Sequence, residues 1–412
     1  MAVGTARAQS RAQEIGILLL LTLANGVVAF DRLTVAYLSP YIVADMRVSN
    51  AELGLLAAAL SAAVAVSSFV GGRLADRSGR RKFILLLCTI VFSVGSAAGG
   101  FAATFAMLFA ARAVLGIAEG PMVPISQTIM AETSAPERRG VAMGFMQMVG
   151  AFGIAGVLGP IVATQLAEAM GWRHTLLLSL LPGLLLAIGI ALVLPPDPKM
   201  QPGGRDRPAG VLAVIIGLLK VRNMRVALCV AAAITAWLVL QNTFLAMFLT
   251  EVRHLAPTTA GTVIAMGGFA GIAGGVALPF LSDRIGRKPV MIGAGLAGVA
   301  CPIALLTLPS DPLLRGLAIL IGWLPLGIAP LYCATVPTES VDRALATTAV
   351  GLSMGTAELF GGVILPPIAG RIADAFGLEA VFLICIGLAL FAGVAATFLR
   401  ETAPQIVGTE VD

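Results

Sequence analysis

The stretch Leu74 to Lys82 reads LADRSGRRK, and Leu281 to Pro289 reads LSDRIGRKP, 207 positions later. A second pair repeats at nearly the same offset. GVLGPIVATQLAEAMG (Gly156 to Gly171) returns as GVILPPIAGRIADAFG (Gly362 to Gly377), 206 positions on. One offset close to half of 412 residues, found at two independent places, marks a duplicated unit. Each charged copy is flanked on both sides by long apolar runs.

Those runs fix the solvent. The chain is 58% hydrophobic and 12% charged, with mean hydropathy +0.95. A soluble domain carries roughly 25% charged residues, so this chain has too little polar surface to cover a soluble globule. A spanning helix needs about 20 mostly apolar residues. Twelve such runs are legible, at about 15–41, 52–72, 83–103, 106–130, 140–166, 175–194, 224–248, 258–280, 289–309, 313–335, 344–369 and 378–399. The expected fold is an all-α membrane protein, with twelve transmembrane helices in two pseudo-symmetric six-helix bundles. Residues 1–194 form the first bundle, 195–223 a Pro, Gly and Arg-rich cytoplasmic linker, and 224–412 the second. Within the linker, Val211 to Lys220 is apolar with basic flanks, the pattern of an interfacial helix.

Basic residues set the orientation. With the N-terminus inside, inner segments hold 20 Lys and Arg and outer loops hold 5, with Arg32 and Arg112 inside the runs. Both termini are therefore expected in the cytoplasm, of a bacterial-type inner membrane. The net charge of +5 sits in these short loops, where it sets topology rather than meeting nucleic acid. The cysteines Cys88, Cys229, Cys301, Cys333 and Cys385 all fall in apolar runs, and His174 and His254 lie in separate loops. No disulfide set, metal site or cofactor is expected from them. Gly293 to Gly298 is a formal GxGxxG and Gly351 to Gly355 a formal GxSxG. Neither has the strand and turn its chemistry requires, so neither reads as a dinucleotide site or a nucleophile, and no enzyme is expected.

Gly72-Arg-Leu-Ala-Asp76-Arg77-Ser-Gly79-Arg80 resembles the helix 2–3 loop motif of the major facilitator superfamily, and the resemblance covers the whole chain. It implies a cytoplasmic gate built from Gly72, Asp76, Arg77, Gly79 and Arg80, with a second copy at Asp283, Arg284, Gly286 and Arg287. The second copy departs from the motif at Pro279, where the first Gly should stand. The charges allow such a gate. Asp76 can sit at a neighbouring helix N-terminus, while the arginines reach acidic residues and lipid headgroups. Repeated halves also place a transported solute near the midplane, at their interface.

At that depth stand Asp31 and Arg32 in the first run, and Arg112 and Glu119 in the fourth. Ionisable residues inside a membrane are costly and mark function. Arg112 and Glu119 are seven apart, two helical turns on one face, about 10 Å along the axis. The four formal charges cancel. One anion entering with one proton keeps that sum; an anion alone does not. The expected proton-coupling groups are Asp31, Glu119 and the mid-helix Glu358. Arg32 and Arg112 are the expected anion anchors, with Asn25, Gln147, Gln241 and Asn242 as further substrate contacts. Bland alternatives stand beside each. The charges could be a staple between two helices, and the amides interhelical glue. Tyr37 and Tyr41 read as outer-interface residues.

This constellation resembles the anion–cation symporters, relatives of sialin and sugar-acid carriers, and also the spinster-like lipid transporters. The first resemblance implies that Asp31 and Glu119 handle protons while Arg32 and Arg112 meet an organic anion. Gly159-Pro160 is similar to the drug-exporter motif, but Ala155, Ala163 and Thr164 break its glycine spacing. The expected function is proton-coupled symport of a small organic carboxylate by alternating access, by a monomer whose partners are lipid, proton and solute. The alternatives are export of a lysolipid or drug, or a receptor or intramembrane enzyme with no flux.

Overall fold

The computed structural model describes residues 11–134, 138–197, 211–342 and 345–407; a few side chains within these, Asp76 among them, lie outside the description. All regular structure among the described residues is helical. Among the described residues, twelve helices are long and apolar enough to span a membrane: α1 (Arg11–Tyr37), α2 (Asn50–Gly72), α3 (Arg81–Gly100), α4 (Phe105–Thr133), α5 (Val141–Met170), α6 (Trp172–Val193), α7 (Arg222–Val252), α8 (Pro257–Ile285), α9 (Arg287–Thr307), α10 (Pro312–Glu339), α11 (Thr348–Phe376) and α12 (Glu379–Thr397). Val211–Lys220 is helical, as its pattern suggests.

Prolines shape the places where these helices depart from ideal. The first run does not continue to Tyr41. Pro40 has no amide to give to the Ala36 carbonyl, so α1 stops at Tyr37 and a short helix, Ser39–Met46, restarts. The Ser39 hydroxyl takes over the Ala36 carbonyl at 2.8 Å. In α5 and α11 the backbone widens into π-helical turns, Met146–Leu158 and Glu358–Ile364. They end at positions 206 apart, two residues before Pro160 and Pro366. In that five-residue register Pro160 should bond the Ala155 carbonyl and cannot. The Tyr37 hydroxyl donates to it instead, at 3.1 Å.

The first six helices meet the last six along two seams, α2 with α11 and α5 with α8. At one end both seams close backbone to backbone. A Cβ on Gly54 would lie 2.6 Å from the Pro366 carbonyl carbon, and one on Gly261 2.6 Å from the Pro160 oxygen. Asp374 of α11 accepts from the amides of Asn50 (2.9 Å) and Ala51 (3.0 Å), capping α2 from the other half. Toward the end that carries Arg11 and Ile406 the contacts between α2 and α11 give out: a Cβ on Gly72, Gly351 or Gly355 would meet nothing within 4 Å.

Acidic residues that follow α6 and α12 cap their neighbours in parallel. Asp197 accepts from the Lys82 amide at 2.7 Å, at the start of α3. Glu401 accepts from the Arg287 and Lys288 amides at 2.8 and 3.1 Å, at the start of α9. Burial alone would push the Glu401 carboxyl up, but backbone N–H groups, those of Ala403, Arg287, Lys288 and Thr402, together hold it below its ordinary value. A lowered carboxyl stabilises the fold above its ordinary 4.5 and loses that contribution as pH falls through its folded value. Glu401→Ala should therefore cost about 1 kcal/mol at pH 7, and progressively less in acid. Thermal unfolding of the two proteins across pH measures the gap; a gap that widens in acid contradicts the capping role.

Candidate functional site

Asp31 and Arg32 are neighbours on α1, so their side chains leave the helix about 100° apart. Arg32 points into a cavity of about 270 Å³ between the two halves. Its Nη1 donates to Glu119 Oε1 of α4 at 3.3 Å. Its Nη2 donates to Glu358 of α11, at 3.2 Å to Oε1 and 3.1 Å to Oε2. Arg32 thus joins a carboxylate of its own half to one of the other half. Glu119 is 3% exposed, whereas Arg32 and Glu358 are 28% and 31% exposed toward the cavity.

Glu119 is held in place by the helix it sits on. Pro121 and Pro124 lie inside α4, and Pro124 has no amide for the Gly120 carbonyl. Ser68 of α2 donates to that carbonyl at 2.9 Å, and Ser67 to Gly116 at 3.0 Å. These bonds dock the bent helix on α2 and aim Glu119 at α1.

Arg112 lines the same cavity but does not pair with either carboxylate of its half. Its Nη1 and Nη2 donate to the backbone carbonyls of Asp31 (3.2 Å) and Arg32 (2.7 Å), so it clamps α1 to α4 at the charged step. Asp31 faces the other way. It is buried, accepts from the Ser96 hydroxyl, and lines a separate pocket of about 220 Å³ with Phe92, Leu158 and Ser179. Ser96 and Ser179 share a hydrogen bond of 2.6 Å. Among the described residues, Asp31 Oδ2 and Glu119 Oε2 are buried with no hydrogen-bond partner. The group therefore holds two cations and three carboxylates, since Glu358 joins the four charges expected to cancel. Fully ionised it carries one surplus negative charge, which one proton removes.

The other expected contacts scatter. Asn242 lines the cavity. Gln241, next to it, turns into the core of the last six helices and accepts from Trp323 Nε1 at 3.0 Å and Cys301 Sγ at 3.3 Å. Asn25 lies outside the cavity and donates to the Met146 carbonyl at 3.1 Å, on the π-helical turn of α5. Gln147 is exposed and outside the cavity lining. Tyr37 departs from its outer-interface reading: it is buried and lines the cavity. Sequence spacing missed Ser96, Ser179 and Trp323, because a lone Ser or Trp in an apolar run carries no periodic signal.

In the loop motif, Gly79 ends the helix that begins at Asn50 in the left-handed conformation, φ +62°, and Gly286 has φ +105°. Arg77 and Arg80 are exposed; Asp76 lies outside the described side chains. Arg284 stacks over Phe280, 4.3 Å from the ring centre. Asp283 pairs with Arg287, which also donates to Glu339 at 3.0 Å. Among the described residues these pairs stay within one half.

The sequence profile described as Major Facilitator Superfamily matches residues 21–363. The chain is 26% identical over 386 residues to a "Probable 4-methylmuconolactone transporter" of Cupriavidus pinatubonensis, covering 91% of this chain and 87% of that one. It is 26% identical over 424 residues to the "Hexuronate transporter" of Bacillus subtilis, covering 97% and 98%. Among solved structures it is similar in fold to a bacterial homolog of the human lysosomal transporter Spinster, inward-facing and unoccupied. The TM-score there is 0.74 at 20% identity, over 95% of this chain and 97% of that one.

Proposed function

This chain belongs to the Major Facilitator Superfamily and is a multi-pass membrane transporter, and from that premise we propose that it moves a small ring-bearing carboxylate together with a proton. The observation that carries this reading is Arg32, held on the cavity wall between Glu119 and Glu358. A guanidinium forks onto a carboxylate, and protonating one of its present partners frees it to do so. One anion with one proton leaves the charge of the site unchanged, so the cargo adds no further unpaired charge within the membrane. Asp31, with an unpartnered oxygen in its own pocket, joins Glu119 and Glu358 as a proton acceptor.

The cavity walls favour a ring over a polyol. Leu56, Phe152, Leu238, Ile264, Trp323 and Leu326 line it, and a sugar acid's hydroxyls would lose hydrogen bonds against them. The methylmuconolactone relative is the better guide on this point than the hexuronate one. We place both termini in the cytoplasm, from the basic loops, and assign the Leu74 to Lys82 loop to closing the open end in the opposite conformation.

The test is uptake into proteoliposomes under an inward proton gradient. Benzoate should accumulate and glucuronate should not, and collapsing the gradient should stop accumulation. Gradient-independent uptake would remove the proton coupling. Apolar walls also accept an acyl chain, so lysophospholipid transport that benzoate does not compete with would replace the carboxylate reading.

A further inference from the structure

We propose that Glu358 occupies, in the empty carrier, the place on Arg32 that the cargo carboxylate takes, so that the protein holds its own tethered competitor. This rests on the carboxylate reading above and says how that site is regulated. An arriving anion finds the terminal guanidinium nitrogens of the site engaged. Arg32 Nη1 is on Glu119 and Nη2 on Glu358, while Arg112 Nη1 and Nη2 are on backbone carbonyls.

Of the two carboxylates on Arg32, Glu358 is the one that can leave. Glu119 is walled in at 3% exposure, behind a helix pinned by Ser67 and Ser68. Glu358 is 31% exposed, lines the cavity, and turns both oxygens to a single nitrogen of Arg32. It also opens the π-helical turn of α11, which Gly361 and Gly362 continue, where the backbone departs from the α-helical register. The titratable groups around it are Arg32 from α1, Glu119 from α4, and Tyr332 and Cys333 from α10. Arg112 shares the cavity; Ser61 of α2, and Thr235 and Asn242 of α7, are neutral. A proton on Glu358 removes its charge and yields Nη2 to the cargo. Cargo binding and protonation of Glu358 are then one exchange, and the exchange breaks the ion pair between α1 and α11.

The experiment measures benzoate binding to the purified full chain by calorimetry at pH 5.5 and pH 8, with benzamide as the uncharged isostere. Wild type should bind benzoate at least tenfold more weakly at pH 8. Glu358→Gln should bind it at least tenfold more tightly than wild type at pH 8 and lose the pH dependence. Glu119→Gln should keep the pH dependence, and benzamide should show none. In the wild type, which needs no variant to fold, benzoate binding at pH 7 should take up about one proton, read from the dependence of the heat on buffer ionisation. If wild type binds benzoate but takes up no proton, or Glu358→Gln is no tighter at pH 8, the tethered competitor is overturned while the carboxylate reading stands. If wild type binds no benzoate at either pH, both fall.

Discussion

Arg32→Ala should reduce proton-driven benzoate uptake by about a hundredfold or more. A hydrogen bond to a charged group contributes about 1.5–3 kcal/mol, and the two that Nη2 now makes to Glu358, which the cargo takes over, are worth about two orders of magnitude in affinity. Arg32 is the guanidinium that carboxylates of both halves already engage, so its loss removes the anchor and leaves Glu119 and Glu358 without their shared cation. Arg32→Lys should rescue little, because an ammonium is a point charge and cannot hold Glu119 and the cargo on two separate nitrogens. The measurement is initial uptake rate in proteoliposomes at matched protein content. Arg32→Ala protein that still accumulates benzoate at a wild-type rate would take Arg32 out of the transport path.

The second large effect is on stability. Arg112→Met should cost about 3–5 kcal/mol, the range for removing one partner of a buried charged group. Arg112 is 5% exposed and clamps two successive carbonyls of α1 to α4. Methionine fills a similar volume but returns neither hydrogen bond. It also leaves Asp31, 1% exposed, without its nearby positive charge, while Glu119 keeps Arg32. Arg112→Lys should recover less than half of the loss, since one ammonium cannot span both carbonyls in the guanidinium geometry. Denaturant unfolding in detergent checks this; an Arg112→Met protein as stable as wild type would show that the clamp is dispensable.

The twelve spans and the duplicated halves were legible from hydropathy and repetition, because burial in lipid leaves a strong compositional trace. The break after Tyr37 was hidden because Pro40 lies inside an unbroken apolar run. The π-helical turns were hidden because hydropathy does not register one extra residue per turn. Contacts across the halves were hidden for a different reason. Nothing local to Glu358 reports that it meets Arg32, 326 positions away. Two divergences follow from helix geometry alone. Asp31 and Arg32 are adjacent, as are Gln241 and Asn242, and adjacent helical side chains diverge by about 100°. In each pair one member faces the cavity and the other faces elsewhere. Arg112 illustrates the limit of charge counting: its partners are carbonyl oxygens, which every residue supplies.

The closed end of the seams is backbone lying on backbone, through Gly54, Gly261 and their neighbours, with the Asp374 cap as a polar tie. Opening that end would expose these surfaces to water, so expulsion of water helps hold it shut. The balance between the two shapes also depends on how tightly the surrounding lipid packs and how thick its hydrocarbon layer is. The same carrier should cycle at different rates in thin and thick bilayers, with no change in the residues that bind its cargo.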